Sequence, residues 1–420
     1  LELALIPFFV ITSNKVPQVY FMVASANNVF NSLFSTSELL EEFLLDSYQS
    51  KHQRFLASKE SLSALNEVLD VATLDELLAN AQMPASSIDM ARADRRMKRS
   101  EFCYDNGTID LRAVIREYRA GATLILSQLH EADTKLADLC RQFEAVFNCH
   151  VQTNIYLTPP GYQGFRPHFD AHDVFVMQVA GSKAWKLYDH PVKLAYKGER
   201  FNSNVHKPGE LTEEFTMDAG ETIYIPKGMM HDASNNGDEP SLHITLGLIT
   251  KNWADLVIEA VSEVAVNHPE FRQALPPNFA TADFDNSAAQ AHFKSLIDII
   301  AKEANLDHAL DYFAGDFIQR QKPDIRGGLL DAVFAPAEVK PSQRYQLRAN
   351  YLAQFFEDGD RLTLVSPGGH MHFELAASDA LDEILRGEVF VATDLPGLAE
   401  EDQRALVEKL AAASVIKLAD

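Results

Sequence analysis

Apolar positions along the chain change their period twice, from helical to alternating and back to helical. In the front third they recur at helical spacing. Leu39, Leu40, Phe43 and Leu44 follow Ser35-x-x-Glu38, a capping-box pattern that predicts a helix. Thr73-x-x-Glu76 predicts a second, short helix that stops before Pro84. Asp110 opens a third, which runs through Val114, Ile115 and Tyr118 to Gly121. Ala122 to Ser127 reads as a short buried strand, and Leu136, Leu139, Phe143, Val146 and Phe147 as the apolar face of a helix ending near Asn148. From His150 to Thr250 the signal is of strands. His150–Leu157, Val174–Val179, Lys183–Tyr188, Thr222–Ile225 and Leu242–Leu248 are short, rich in β-branched and aromatic residues, and divided by Gly or Pro. Ala180-Gly181-Ser182 reads as a hairpin turn. Many short strands punctuated by turns predict a barrel or jelly roll.

After Trp253 the helical period returns. Leu256, Val257, Ala260, Val261 and Val264 share one face, and Phe293, Leu296, Ile297 and Ile300 another. The tail mixes both signals. Strands at Arg361–Ser366 and His370–Leu375 flank a Pro367-Gly368-Gly369 turn, followed by a helix near Ala380–Leu385, a strand at Val389–Ala392 and a helix from Glu400 to Ala412. These shifts divide the chain into a segment 1–27 with no assigned role, a β-rich core with helical support over 28–252, a helical region over 253–318 and a small α/β domain over 319–420.

Composition narrows the class. The chain has 420 residues, 46% hydrophobic and 23% charged, as in an ordinary soluble protein with room for a large core. A net charge of −23 argues against a broad nucleic-acid-binding face and for basic partners, while leaving room for a local basic patch. Cys103, Cys140 and Cys149 show no CxxC spacing and read as free thiols of a reducing cytoplasm. The apolar start is broken by Pro7 and Pro17. Its run from Leu3 to Asn14 is too short to span a bilayer, and the run from Val16 to Ser37 is too polar. No basic region precedes it, so neither a signal peptide nor a membrane anchor is expected.

The candidate chemistry lies in the strand-rich part. Pro167-His168-Phe169-Asp170 is followed, 63 residues after His168, by His231 at the end of Ile225-Pro226-Lys227-Gly228-Met229-Met230-His231. A His-x-Asp pair on a strand puts both side chains on one face. With a distant third histidine it makes a 2-His-1-carboxylate set, which holds iron on one side and leaves the other positions open. His172 shares the face of His168 and Asp170 and is a rival ligand, although three alternating donors on one strand diverge. His190 and His206 fall in loops.

The same residues carry a resemblance. Asn154-Ile-Tyr156-Leu-Thr-Pro159, Gly164-Phe165, His168-Phe-Asp170, Val174-Phe-Val-Met-Gln178, Gly181-Ser-Lys183-Ala-Trp185, Ile225-Pro226 through His231, and Ser241-Leu-His243-Ile-Thr245 resemble the cupin-like JmjC family of 2-oxoglutarate oxygenases, in its ribosomal oxygenase branch. The resemblance implies an α+β fold with a mainly β core. Its plan is a double-stranded β-helix (cupin/JmjC jelly roll), then a helical dimerising region and a small winged-helix-like C-terminal domain. It implies that His168, Asp170 and His231 bind Fe(II) and that Lys183 holds the far carboxylate of 2-oxoglutarate, with Lys186 as second choice. Asn154 and Tyr156 would hydrogen-bond the cosubstrate, Gln178 and His243 would orient the ligands, and Trp185 would pack in the core. Ala171 departs from the family text, where an acidic residue often follows the aspartate.

The implied activity is hydroxylation of an arginine or histidine side chain of a ribosomal protein, coupled to oxidative decarboxylation of 2-oxoglutarate. A basic substrate suits an acidic chain, and Asp173, Glu213 and Glu214 are candidate contacts. Alternatives are hydroxylation of a small peptide or amino acid, a non-catalytic metal-binding scaffold, and histone lysine demethylation. The implied partners are a basic protein and a second copy of the chain, with no membrane. Asp379, Asp382, Glu383, Glu400, Glu401 and Asp402 argue against DNA binding by the C-terminal domain.

Overall fold

The strand signal between residues 150 and 250 resolves into two antiparallel sheets. The computed structural model describes residues 28–80, 85–334 and 343–419, so the segment 1–27 and Pro84 lie outside the described residues. Contacts divide the chain after Thr250 into two compact units.

The first unit begins with helices α1 (Val29–Leu33) and α2 (Ser37–Asp46), strand β1 (Gln53–Phe55), and helices α3 (Lys59–Val68) and α4 (Val71–Asn80). Next come β2 (Ile88–Ala91), α5 (Leu111–Arg119), β3 (Thr123–Ser127) and α6 (Thr134–Phe147). Seven strands complete it: β4 (His150–Thr158), β5 (Asp173–Ala180), β6 (Ser182–Tyr188), β7 (Leu211–Asp218), β8 (Thr222–Ile225), β9 (His231–Ser234) and β10 (Ser241–Ile249). Asp110 caps α5 as expected, its side chain accepting from Arg112 N and Ala113 N. Two other starts shift. Thr36, not Ser35, caps α2 by accepting from Leu39 N, and α4 begins at Val71, where Asp70 Oδ1 accepts from Thr73 N at 2.6 Å.

The large sheet has the order β1-β8-β5-β10-β4-β3-β2 and the small one β7-β6-β9. One face of the large sheet packs on the helices. There Phe175, Ile155 and Tyr224 meet Phe43, Leu65, Leu139 and Phe143, with the Phe143 and Phe175 rings 5.0 Å apart. Val174, Val176, Ile223 and Ile225 on the opposite face meet Trp185, Leu187 and Met217 of the small sheet. Both faces of β5 and β10 are therefore covered, which is why these strands read as continuous apolar runs. In β6 burial alternates, and Lys183, Trp185 and Leu187 point inward.

The expected hairpin at Ala180-Gly181-Ser182 is instead a crossover. β5 pairs with β8 and β10, whereas β6 pairs with β7 and β9, so this turn carries the chain from one sheet into the other. Gly181 has φ +63°, and a Cβ there would lie 2.2 Å from the Pro240 carbonyl oxygen, which leaves glycine as the residue that fits.

In the second unit, α7 (Trp253–Asn267), α8 (Ser287–Glu303), α9 (Leu306–Arg320) and α10 (Gly328–Phe334) precede β11 (Arg344–Leu347), β12 (Gln354–Asp358), β13 (Arg361–Ser366) and β14 (Gly369–Glu374). Then follow α11 (Ser378–Leu385), β15 (Phe390–Val391), α12 (Glu400–Ala412) and β16 (Ile416–Leu418). Two three-stranded sheets, β12-β13-β14 and β15-β11-β16, share a core of Leu362, Leu364, Leu381, Ile384, Val407, Leu410 and Ile416 with α11 and α12. α7 buries Ala260 and Val264, and α9 buries Ala309, Phe317 and Ile318. α8 buries no residue along its 17 positions.

Candidate metal centre

His168 and Asp170 are not on a regular strand. They sit in the irregular stretch between β4 and β5, held by an isolated antiparallel bridge in which His168 N donates to His231 O at 3.0 Å and His231 N to His168 O at 2.8 Å. The short extended piece keeps the alternation. Phe169 turns the other way and is buried with Ala195 and Met230.

His231 is delivered by the proline-glycine turn that ends β8. Met229 N donates to Pro226 O at 3.2 Å and Gly228 N to Asp170 O at 2.9 Å, which ties the turn to the carboxylate's own backbone. Gly228 has φ +85°, and a Cβ there would lie 1.8 Å from the Val192 carbonyl oxygen.

His168, Asp170 and His231 each offer a donor atom, and these atoms lie within 4.8 Å of one another. Asp170 Oδ2 is 3.7 Å from His231 Nε2, and the two imidazole rings are 4.7 Å apart. Backbone carbonyls fix both tautomers. His168 Nδ1 donates to Arg166 O at 2.9 Å and His231 Nδ1 to Met229 O at 3.1 Å, which leaves each Nε2 lone pair free. Burial, then the neighbouring His168, pushes His231 down to about 4, so its imidazole is neutral at physiological pH. Burial works against the Asp170 carboxylate, but His168, His231 and His172 together outweigh it and hold its pKa below the ordinary value. Two imidazoles and one carboxylate suit a divalent first-row metal such as iron. His172 is outside this cluster.

A second feature lies deeper between the sheets. Lys183 is buried, and its Nζ donates to Thr158 Oγ1 at 3.0 Å and lies 3.4 Å from His243 Nδ1. No carboxylate pairs with it among the described residues, and burial pushes its pKa down to about 7. A buried amine with no counter-charge suits an anionic ligand. Lys186, the second choice, points outward, 3.6 Å from Glu214.

The register of β4 on β10 sets Tyr156 opposite His243 and Asn154 opposite Thr245. The Tyr156 and His243 rings stack at 4.8 Å. Trp185 bridges the two features, its ring 5.9 Å from His231 and 6.2 Å from His243. Its indole nitrogen is buried without a hydrogen-bond partner among the described residues. Phe165 closes the other side, 5.5 Å from His168 and 6.1 Å from Tyr156. Asn154 shares the strand face of Tyr156 and Thr158 and makes no side-chain hydrogen bond among the described residues.

Thr158 was not singled out in the sequence, yet the period-two alternation from Asn154 and Tyr156 leads to it. Gln178 donates to Ala180 O and Ser241 Oγ, both at 2.8 Å, and none of its hydrogen bonds reaches the three-donor cluster. Asp173 is not at a mouth. It is buried and accepts from Tyr224 Oη at 2.7 Å. Glu213 is held by His52 at 2.6 Å.

Comparison with known proteins adds three findings. A family model described as JmjC domain matches residues 124–256. The chain is 28% identical over 302 residues to the bifunctional lysine-specific demethylase and histidyl-hydroxylase NO66 of Aedes aegypti, covering 66% of this chain and 46% of that protein. It is 28% identical over 280 residues to ribosomal oxygenase 1 of Danio rerio, covering 59% and 51%. The chain thus spans about half the length of these relatives. Its fold is like that of the Escherichia coli ribosomal oxygenase YcfD solved with cobalt and 2-oxoglutarate. The TM-score is 0.52 at 15% identity, over 91% of this chain and 98% of that one. The facing sheets are therefore a JmjC/cupin-like core, as expected.

Proposed function

We propose, from the match of residues 124–256 to the JmjC domain model, that the protein is an Fe(II)- and 2-oxoglutarate-dependent oxygenase that hydroxylates an arginine or histidine side chain of a ribosomal protein. The observation that carries this reading is the convergence of two imidazoles and a carboxylate near a buried lysine that lacks a counter-charge among the described residues. His168, Asp170 and His231 would hold the metal through two Nε2 atoms and a carboxylate oxygen. Iron bound there would let O2 act as the oxidant, one oxygen atom entering a C–H bond of the substrate and the other the succinate that forms as 2-oxoglutarate loses CO2.

The chain's own residues do the rest. Lys183, protonated at Nζ, and the Thr158 hydroxyl receive the far carboxylate of the keto acid. Tyr156 and His243 form the wall beside it, and Asn154 offers an amide on the same face. Trp185, buried between His231 and His243, keeps water from the bound cosubstrate. The carbonyls of Arg166 and Met229 hold both imidazoles in the ligating tautomer.

The curated relatives are named as a histidyl-hydroxylase and as a ribosomal oxygenase, which supports a ribosomal substrate. The net charge of −23 suits a basic partner. A cytoplasmic site of action fits three cysteines without a disulfide, and among the described residues no helix is long and apolar enough to cross a membrane. Trp253, Val257 and Ile258 of α7 and Phe293 and Ile297 of α8 are exposed apolar residues, which supports the helical region as the contact of a homodimer. The small C-terminal domain would then serve packing rather than DNA binding.

The test combines purified chain, Fe(II), 2-oxoglutarate and total ribosomal protein. Succinate release and a gain of one oxygen atom in the intact mass of a ribosomal protein are expected. Absence of succinate overturns the activity. Succinate without any mass gain overturns the substrate.

A further inference from the structure

One surface of the first unit carries a charge opposite to that of the whole chain. Against a net −23, residues 92–99 hold Arg92, Arg95, Arg96, Lys98 and Arg99 with Asp94 as the only acid. This segment is fastened beside residues 162–166, since Ala93 N donates to Gln163 O at 2.9 Å and Arg166 Nε to Ala93 O at 2.6 Å. Two adjoining hollows of about 430 and 620 Å³ open along it. Six basic side chains line them, those five and Arg166, and Asp89 is the one acidic residue lining either among the described residues.

Part of this charge is already balanced. Arg92 pairs with Asp94 at 2.8 Å and Arg95 with Glu101 at 2.7 Å. Arg96 has no ion-pair or hydrogen-bond partner among the described residues, and Arg96, Lys98 and Arg99 are all exposed. Two exposed aromatic residues, Tyr162 and Phe165, stand beside the basic segment. Phe165 lines the first hollow and also lies 5.5 Å from His168, so the basic surface reaches the edge of the candidate metal centre.

We propose that this surface binds single-stranded RNA alongside the entrance to the site, the choice of RNA resting on the ribosomal reading above. Guanidinium and ammonium groups take phosphates, and exposed rings take unpaired bases. A duplex offers no free base faces to Tyr162 and Phe165, and an acidic peptide would use the charges and leave the rings idle. A basic patch at the entrance repels a basic protein presented alone, and a phosphate backbone carried with that protein removes the repulsion.

The experiment titrates the full chain into a fluorescently labelled oligouridylate of about 12 nucleotides, within the footprint of such surfaces. Anisotropy is read between roughly 50 and 200 mM salt. Saturable binding is expected, with a log–log salt slope near −2 if about three phosphates are neutralised. The exposed double variant Arg96→Glu/Lys98→Glu is expected to lose about tenfold or more at low salt, with succinate release unchanged.

The proposal is overturned if the oligouridylate does not bind or if the double variant binds it as well as wild type. It is equally overturned if an oligodeoxythymidylate of equal length, or polyglutamate, binds as tightly. Succinate release on the same samples tests the oxygenase reading separately. RNA binding without turnover overturns that reading and leaves the RNA surface standing.

Discussion

At the scale of single residues, Lys183 makes the sharpest predictions. Its pKa of about 7 means that ammonium and amine coexist near neutrality. A dicarboxylate favours the ammonium. Below about 7 that form is present before the ligand arrives, and above it binding must draw a proton from solution. Apparent affinity for 2-oxoglutarate is therefore expected to fall as pH rises past about 7. Calorimetry in buffers of different ionisation heat should register proton uptake; its absence above that pH would mean the lysine is already charged. Lys183→Ala removes a charge-assisted hydrogen bond, so KM for 2-oxoglutarate is expected to rise roughly tenfold or more while metal content stays intact. His231→Ala should behave differently. It is expected to lose metal stoichiometry and succinate release together, and a variant that retains both would refute the ligand assignment.

At the scale of elements, the turn after β8 is the critical one. Gly228→Ala must fit a side chain against the Val192 carbonyl at φ +85°. A stability loss of about 1–3 kcal/mol is expected, visible as a lower Tm, with weakened metal binding because His231 follows the turn. A Tm equal to wild type would show that the turn relaxes freely. The elements that the sequence made legible are those with a strong period or a cap, such as α5 behind Asp110 and strands β4, β5, β6, β8 and β10. The convergence of His168, Asp170 and His231 was legible as well, through the His-x-Asp text and the Pro-x-Gly-x-x-His text. What stayed hidden has physical reasons. β7 alternates exposed with half-buried residues and lacks the apolar face that marks a strand. His168 and Asp170 lie in irregular chain whose pairing to β9 depends on contacts far along the sequence. The Ala180–Ser182 turn has the text of a hairpin, and only the third dimension shows that its two strands join different sheets.

At the scale of the molecule, α8 sets the expectation. A 17-residue helix with no buried position, carrying exposed Phe293 and Ile297, exposes apolar surface that the described chain does not cover. Sedimentation velocity is expected to show a dimer, and Phe293→Asp combined with Ile297→Asp a monomer. A wild-type chain that remains monomeric across the accessible concentration range would rule this out. The crossover at Gly181 has a reach of the same order. Because inward and outward positions along β6 swap with every single step, one residue added after Gly181 would turn Ala184 and Lys186 toward the interior and Lys183 and Trp185 toward water. The protein would keep every side chain of its candidate site in the written sequence and lose two of them in space, so parity of chain length at that joint constrains its divergence as firmly as the identity of any donor.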